Sequence, residues 1–190
     1  METALQGGSA EVTDVIERLL VTTREFERRM RNAERDAVLD SLTGLGNRRQ
    51  WRTSLRAAEE RCRRGDDDAV VAVIDLDGFK RINDELGHAA GDALLRRLAI
   101  TLSAEVRGGD TVARTGGDEF AVLAFGTSDA KALTSRLELA LSASGITASV
   151  GAASRRRAGS LEEAWERADE AMYASKARRR RRTRHTGPGG

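Results

Sequence analysis

Four acids border two short apolar runs in this chain. Asp75 and Asp77 follow Ala69-Val-Val-Ala-Val-Ile74, while Asp118 and Glu119 separate Gly116-Gly117 from Phe120-Ala-Val-Leu123. Adjacent carboxylates suit hard divalent cations, which take oxygen ligands. Two bare residues beside them let a ligand lie against the backbone. Gly-Gly between Thr111-Val112 and Phe120 to Leu123 is a tight hairpin signal, because glycine accepts the positive φ that such turns favour. Acids at the end of a buried strand are costly unless they have partners. An ordinary acidic hairpin is the plain alternative. What separates the two readings is whether the chain also supplies a second acid and phosphate-binding groups.

The elements that must hold these acids can be read in order. Asp40-Ser-Leu-Thr-Gly-Leu-Gly-Asn-Arg-Arg49 is a glycine-broken stretch, after which Asn47 can cap a helix with apolar positions Trp51, Leu55, Ala58 and Cys62. Arg63 to Asp68 reads as a solvated polar turn. Residues 69–74 form a strand short enough to be buried on both faces. Gly78 to Gly87 is a short helix stopped by glycine, and Asp92 can cap the next one through Leu94, Leu95, Leu98 and Leu102. Spacing alone leaves open whether Lys80, Asn83, His88 and Asp92 are surface polarity and caps or ligand contacts. Arg107-Gly-Gly-Asp110 is turn chemistry. A helix over 128–143 follows the hairpin, then a strand Ile146 to Val150 ending at Gly151. Ser160-Leu-Glu-Glu163 offers a capping box for a last helix through Ala164, Trp165, Ala168 and Met172. The order β-α-α-β-β-α-β-α predicts an α/β (α+β) domain, a mixed central sheet flanked by helices. A split palm of this kind can bring Asp75 beside Asp118 or Glu119.

Composition bounds the rest. The chain has 190 residues, 39% hydrophobic, with one proline and one cysteine. That length suits one globular domain with an appendage. The single Cys62 can make no internal disulfide and agrees with a reducing, cytoplasmic setting. No apolar run reaches membrane-spanning length, and the first residues lack the blocks of a signal peptide. The net charge of +2 is misleading: residues 176–184 hold seven bases and no acid, leaving 25 bases against 30 acids elsewhere. The basic balance thus reports a tail, and nucleic acid is not the expected partner. Near the N-terminus, Val12, Ile16, Leu19, Thr23, Phe26, Met30, Ala33 and Ala37 alternate steps of four and three. This is the seam of a coiled coil, read as a parallel homodimer, with a lone amphipathic helix as the alternative.

Taken together, Asp40 to Arg49, Asp75-Leu-Asp-Gly-Phe-Lys-Arg-Ile-Asn-Asp84, Gly87-His88, Gly91-Asp92, Gly116-Gly-Asp-Glu-Phe120 and Ser149-Val-Gly151 resemble the GGDEF domain of diguanylate cyclases. The resemblance implies a palm-like, nucleotidyl-cyclase fold over 40–178, after a disordered start (1–10) and the coiled-coil helix (11–39), and before a basic disordered tail (179–190). It implies condensation of two GTP into cyclic di-GMP with release of pyrophosphate, one GTP per domain of a dimer. Asp75, Asp118 and the Leu76 carbonyl match the metal ligands, for Mg²⁺ or Mn²⁺, two per site. Asp118, Glu119 and Lys80 match the catalytic positions. Asn83 and Asp92 match the guanine-reading pair, and Phe79, His88, Gly116, Gly117, Lys176 and Arg180 complete the substrate set. Arg107 and Asp110 match an inhibitory RxxD site for product. Two departures stand out: the segment from Phe120 to Ser149 is shorter than usual, and Arg179 replaces a glycine. A catalytically silent receptor for GTP or cyclic di-GMP is the second reading, and a dimeric interaction scaffold built on the N-terminal helix is the third.

Overall fold

The computed structural model describes residues 18–20, 22–26, 28, 38–65 and 67–185, with side chains up to Arg181. The chain divides into two compact units, Met1–Ala37 and Val38–Gly190. In the first, the described residues are helical, and Leu19, Thr23 and Phe26 of the heptad seam are exposed. The remaining seam positions lie outside the described residues, as does the expected disordered start.

The second unit runs α1 (Arg48–Arg64), β1 (Ala69–Leu76), α2 (Phe79–Leu86), α3 (His88–Ala104), β2 (Thr111–Arg114), β3 (Glu119–Phe125), α4 (Ala130–Ala143), β4 (Ala148–Ser154), α5 (Arg155–Ala158) and α6 (Leu161–His185). The strands pair antiparallel in the order β2-β3-β1-β4. The parallel component of the sheet is an isolated bridge from Gly46 to Ala113. Strand alternation divides the core into two layers. Val70, Ala72, Ile74 and Leu76 face α3 and α4, while Ala69, Val71 and Val73 face α1 and α6. Among the described residues, no helix is long and apolar enough to cross a membrane.

Local chemistry explains most boundaries. The Asn47 side chain accepts from the Arg49 and Gln50 amides, and Trp51, Leu55, Ala58 and Cys62 are the buried face of α1. Gly87, at φ 82°, ends α2 in a conformation that L side chains rarely adopt. In α6 the Ser160 hydroxyl accepts from the Glu163 amide.

Four readings of the sequence change. Asp92 lies inside α3, which starts at His88, so it caps nothing. Strand β4 continues through Gly151 to Ser154 because the antiparallel ladder with β1 runs on to Val70. Asp68 is buried rather than solvated, and its carboxylate accepts from the Ala69 and Arg156 amides. Helix α6 passes through the arginine run to His185, where a disordered tail was expected from 179. Arginine is a good helix former, and bases are favoured near a helix C-terminus.

Candidate functional site

The site is built where β1 and β3 end side by side. Asp75 pairs in register with Glu119, so both side chains leave the same face of the sheet, toward α1 and α6. One residue on, the Leu76 amide donates to the Asp118 carbonyl at 3.3 Å. That bond holds the start of the acidic pair against the end of β1.

The turn joining β2 to β3 is closed by the Thr115 and Gly116 amides donating to the Glu119 carbonyl. Neither Gly116 nor Gly117 has a positive φ, which corrects the expected reason for the glycines. Their value is space. A Cβ on Gly116 would fall 2.5 Å from the Glu119 carboxylate, whereas Gly117 faces open space. Arg114 fastens this turn: its Nε and Nη2 donate to the Gly117 carbonyl at 3.1 and 2.7 Å, and its Nη1 reaches both Asp40 oxygens. Burial works to raise the Asp40 carboxyl, but hydrogen bonds from Thr43 and Arg114 outweigh it and hold it below the usual range. The glycine-broken stretch beginning at Asp40 is thereby tied to the acidic turn.

Helix α6 supplies the cation. Lys176 forms an ion pair and hydrogen bond with Asp75 Oδ1. Its reach is set by Gly151: a Cβ there would fall 2.1 Å from the Met172 amide nitrogen and 2.3 Å from the Ala168 carbonyl oxygen. Only a bare residue lets the helix backbone settle on β4. Asp77 accepts from the buried Ser149 hydroxyl at 2.8 Å and lies 3.9 Å from Arg179.

Electrostatics mark these acids as under-compensated. Burial pushes the Asp75 carboxyl up, Lys176 opposes the rise, and the Asp118 and Asp77 charges add to it. Desolvation also raises Glu119, helped by Asp75, Asp118 and Asp169, with Arg48 opposing. Neighbouring carboxylates that burial and one another's charge push in the same direction are candidates for a functional site. Among the described residues, no three acids, histidines or cysteines cluster closely enough to cage a metal ion by themselves. Two carboxylates and a carbonyl nevertheless fit a hard cation that draws its other ligands from phosphate and water, as Mg²⁺ commonly does.

A second group lies on α2 and α3. A Cβ on Gly91 would fall 1.9 Å from Asn83 Oδ1 and 3.3 Å from the Phe79 ring. Bare backbone at Gly91 therefore seats the Asn83 amide one residue before Asp92, while Lys80 and His88 are exposed. Lys176 and Arg180, one turn apart on α6, line a groove of about 880 Å³ with Asp77, Gly78, Ile82 and Leu94. Arg107 and Asp110 are not part of this grouping, since they sit at the opposite end of β2 from the glycine turn. There the Asp110 carboxylate accepts from the Arg107 and Phe125 amides. A cleft of about 240 Å³ opens beside them, also lined by Arg136. Sequence reasoning did not assign Arg114, Asp40, Gly91 or Gly151 to the site. Asp40, Gly91 and Gly151 fall within motifs of the sequence, whereas Arg114 lies outside them and its pairing with Asp40 spans 74 positions.

Comparison with known proteins identifies the family and the fold. The profile of the family described as "Diguanylate cyclase, GGDEF domain" matches residues 37–182. The probable diguanylate cyclase DgcC of Escherichia coli K12 is 48% identical over 104 residues, covering 53% of this chain and 27% of that protein. Diguanylate cyclase DgcS of Shewanella oneidensis is 36% identical over 150 residues, covering 74% of this chain and 50% of that one. The chain thus spans half or less of the length of these relatives. The crystal structure of the coiled coil and GGDEF domain of DgcB from Caulobacter crescentus, in complex with c-di-GMP, superposes with a TM-score of 0.75. It is 30% identical, and the match covers 92% of this chain and 95% of that one.

Proposed function

The chain belongs to the GGDEF diguanylate cyclase family, and from that premise we propose that it condenses two GTP into cyclic di-GMP with release of pyrophosphate. The observation that carries the reading is the register of Asp75 with Glu119, with Asp118 held against Leu76 and Lys176 on Asp75. Attack of a ribose 3′-hydroxyl on an α-phosphate needs in-line positioning and charge neutralisation more than covalent help. Asp75, Asp118 and the Leu76 carbonyl are the residues that would hold Mg²⁺ or Mn²⁺, two per site. When bound, the metal polarises the phosphate and lowers the pKa of the attacking hydroxyl.

The remaining roles belong to the chain's own groups. Asp118 takes the hydroxyl proton and Glu119, whose carboxyl is raised, assists it. Lys80, Lys176 and Arg180 neutralise phosphate oxygens as the pyrophosphate leaves. Asn83 and Asp92 read the guanine edge, rejecting adenine by leaving buried polar groups unpaired. Phe79 packs against the base and His88 borders the nucleotide. Gly116 and Gly117 leave the turn bare for close approach. One domain holds one GTP, so product requires two domains face to face. The exposed Leu19 and Phe26 of the N-terminal helix support a homodimer through a coiled coil, which raises the effective concentration of the second half-site. A cytoplasmic setting, where GTP is available, fits this reaction.

Incubating the purified chain with GTP and Mg²⁺ and separating the nucleotides tests the proposal. Cyclic di-GMP is expected, and Asp118→Ala should cut its formation by roughly 10³-fold while the fold persists. Product-free incubation at high protein concentration would favour the silent-receptor reading, whose support is the short connection 144–147 between α4 and β4. Product inhibition is proposed at Arg107 and Asp110, beside their cleft, because a guanidinium can grip phosphate. Arg107→Ala should relieve inhibition by added cyclic di-GMP; unchanged inhibition removes this assignment.

A further inference from the structure

Lys176 serves two masters. Its ammonium lies on Asp75, the carboxylate that the proposed chemistry needs as a metal ligand. It also lines the groove with Arg179 and Arg180 and a smaller cleft of about 250 Å³ with Tyr173, Ala177, Arg180 and Arg181. In both spaces further cations are at hand to receive an anion. Asp75 and Lys176 side chains are 10% and 18% exposed, respectively, so water does little to screen their attraction. The other charges facing Asp75 are the acids Asp118, Asp77 and the cross-strand Glu119. Arg179, a further base on α6, is directed to Asp77 and Glu138, each at 3.9 Å.

We propose that Lys176 is a placeholder cation: it occupies Asp75 until nucleotide phosphates draw it away, so that the divalent metal enters only with the phosphate-bearing ligand. The inference rests on the reading of Asp75 as a metal ligand, and it adds an order to binding. Metal and ammonium compete for one buried carboxylate, and both charges cannot be accommodated there cheaply. Phosphate resolves the competition, because Lys176 gains a new anion beside Arg180 as the metal takes Asp75. Gly151 makes the exchange local. With α6 seated on β4 through its backbone, only the lysine side chain has to turn.

The test is Mn²⁺ binding by calorimetry at pH 8, with and without saturating α,β-methylene-GTP. Without nucleotide, Lys176→Met should bind Mn²⁺ roughly tenfold or more tightly than the wild type, the size expected for removing a close competing charge. Lys176→Arg should behave as the wild type, and adding Asp75→Asn to Lys176→Met should abolish the gain. With the analogue bound, wild type and Lys176→Met should agree within about threefold. An unchanged nucleotide-free affinity in Lys176→Met, with weaker analogue binding, would reduce Lys176 to a phosphate contact and overturn the exchange. So would equal tightening in Lys176→Arg. Should Lys176→Met fail to fold, Lys176→Gln offers the same comparison without the charge. None of these measurements needs turnover. Tightening in a chain that makes no cyclic di-GMP keeps the exchange and rejects the cyclase reading; turnover without tightening does the reverse.

Discussion

Glu59 and Asp75 are both shielded carboxylates facing a cation from the C-terminal third of the chain, yet their surroundings drive them in opposite directions. Glu59 accepts from Arg155 Nε and Nη2, from Arg63 Nε and from the Leu161 amide. Hydrogen bonding from Arg155 leads, burial opposes it, and the carboxyl is held down at about 2. Asp75 has one cation and three like-charged neighbours, Asp118, Asp77 and Glu119, and burial pushes its carboxyl up. Glu59 is saturated with donors and ties α1 to the start of α6. Asp75 is under-supplied, which leaves it able to accept something more. A carboxylate's stability thus tells scaffold from site even where both are ion-paired.

The difference predicts effects of opposite sign. Glu59→Gln should have the larger effect, because it leaves the Arg155 guanidinium and the Leu161 amide poorly matched. A loss of about 2 kcal/mol is expected, or roughly 4–8 °C in the thermal midpoint. A fall of less than a degree would place Glu59 among the weak surface pairs. The pH dependence follows the same contrast. Glu59 has a folded value of about 2 against 4.5 when unperturbed, so its contribution is complete above 4.5 and is lost as pH falls toward 2. Acid unfolding of Glu59→Gln should accordingly be flatter across that window. Asp75 works the other way. A raised folded value binds the proton more tightly in the native state, so its ionised form costs stability as pH climbs above 3.8. Asp75→Asn should therefore raise the midpoint at pH 7.5 by about 1–3 °C, the smallest change of the set. A drop on calorimetry would show that the Lys176 pair outweighs burial and repulsion, and the contrast would dissolve.

Local features of this fold are legible in the sequence. Asn47 with its four buried helix positions, the apolar β1 and the Gly78–Gly87 helix all depend on neighbours a few residues apart. The acids at the ends of β1 and β3 were visible for the same reason, and the strand order set them side by side. Asp92 misled because an acid ahead of leucines satisfies the capping pattern, although Gly87 had already begun the helix. The arginine run misled because its composition resembles a tail, whereas a helix already seated on β4 propagates cheaply through good helix formers. Arg114 with Asp40 and Glu59 with Arg155 had no local signal. Those partners are 74 and 96 positions apart, and only the packed sheet brings them together.

Helix α6 rests on β4 with its backbone at Met172, and at about 1.5 Å per residue its geometry has a mechanical consequence. Treated as a rigid rod pivoting there, Lys176 lies about 6 Å from the fulcrum and His185 about 20 Å. Any tilt therefore moves the arginine-rich tip about three times as far as the lysine. The short arm holds the site residue, so the long arm can swing while the chemistry end stays nearly still.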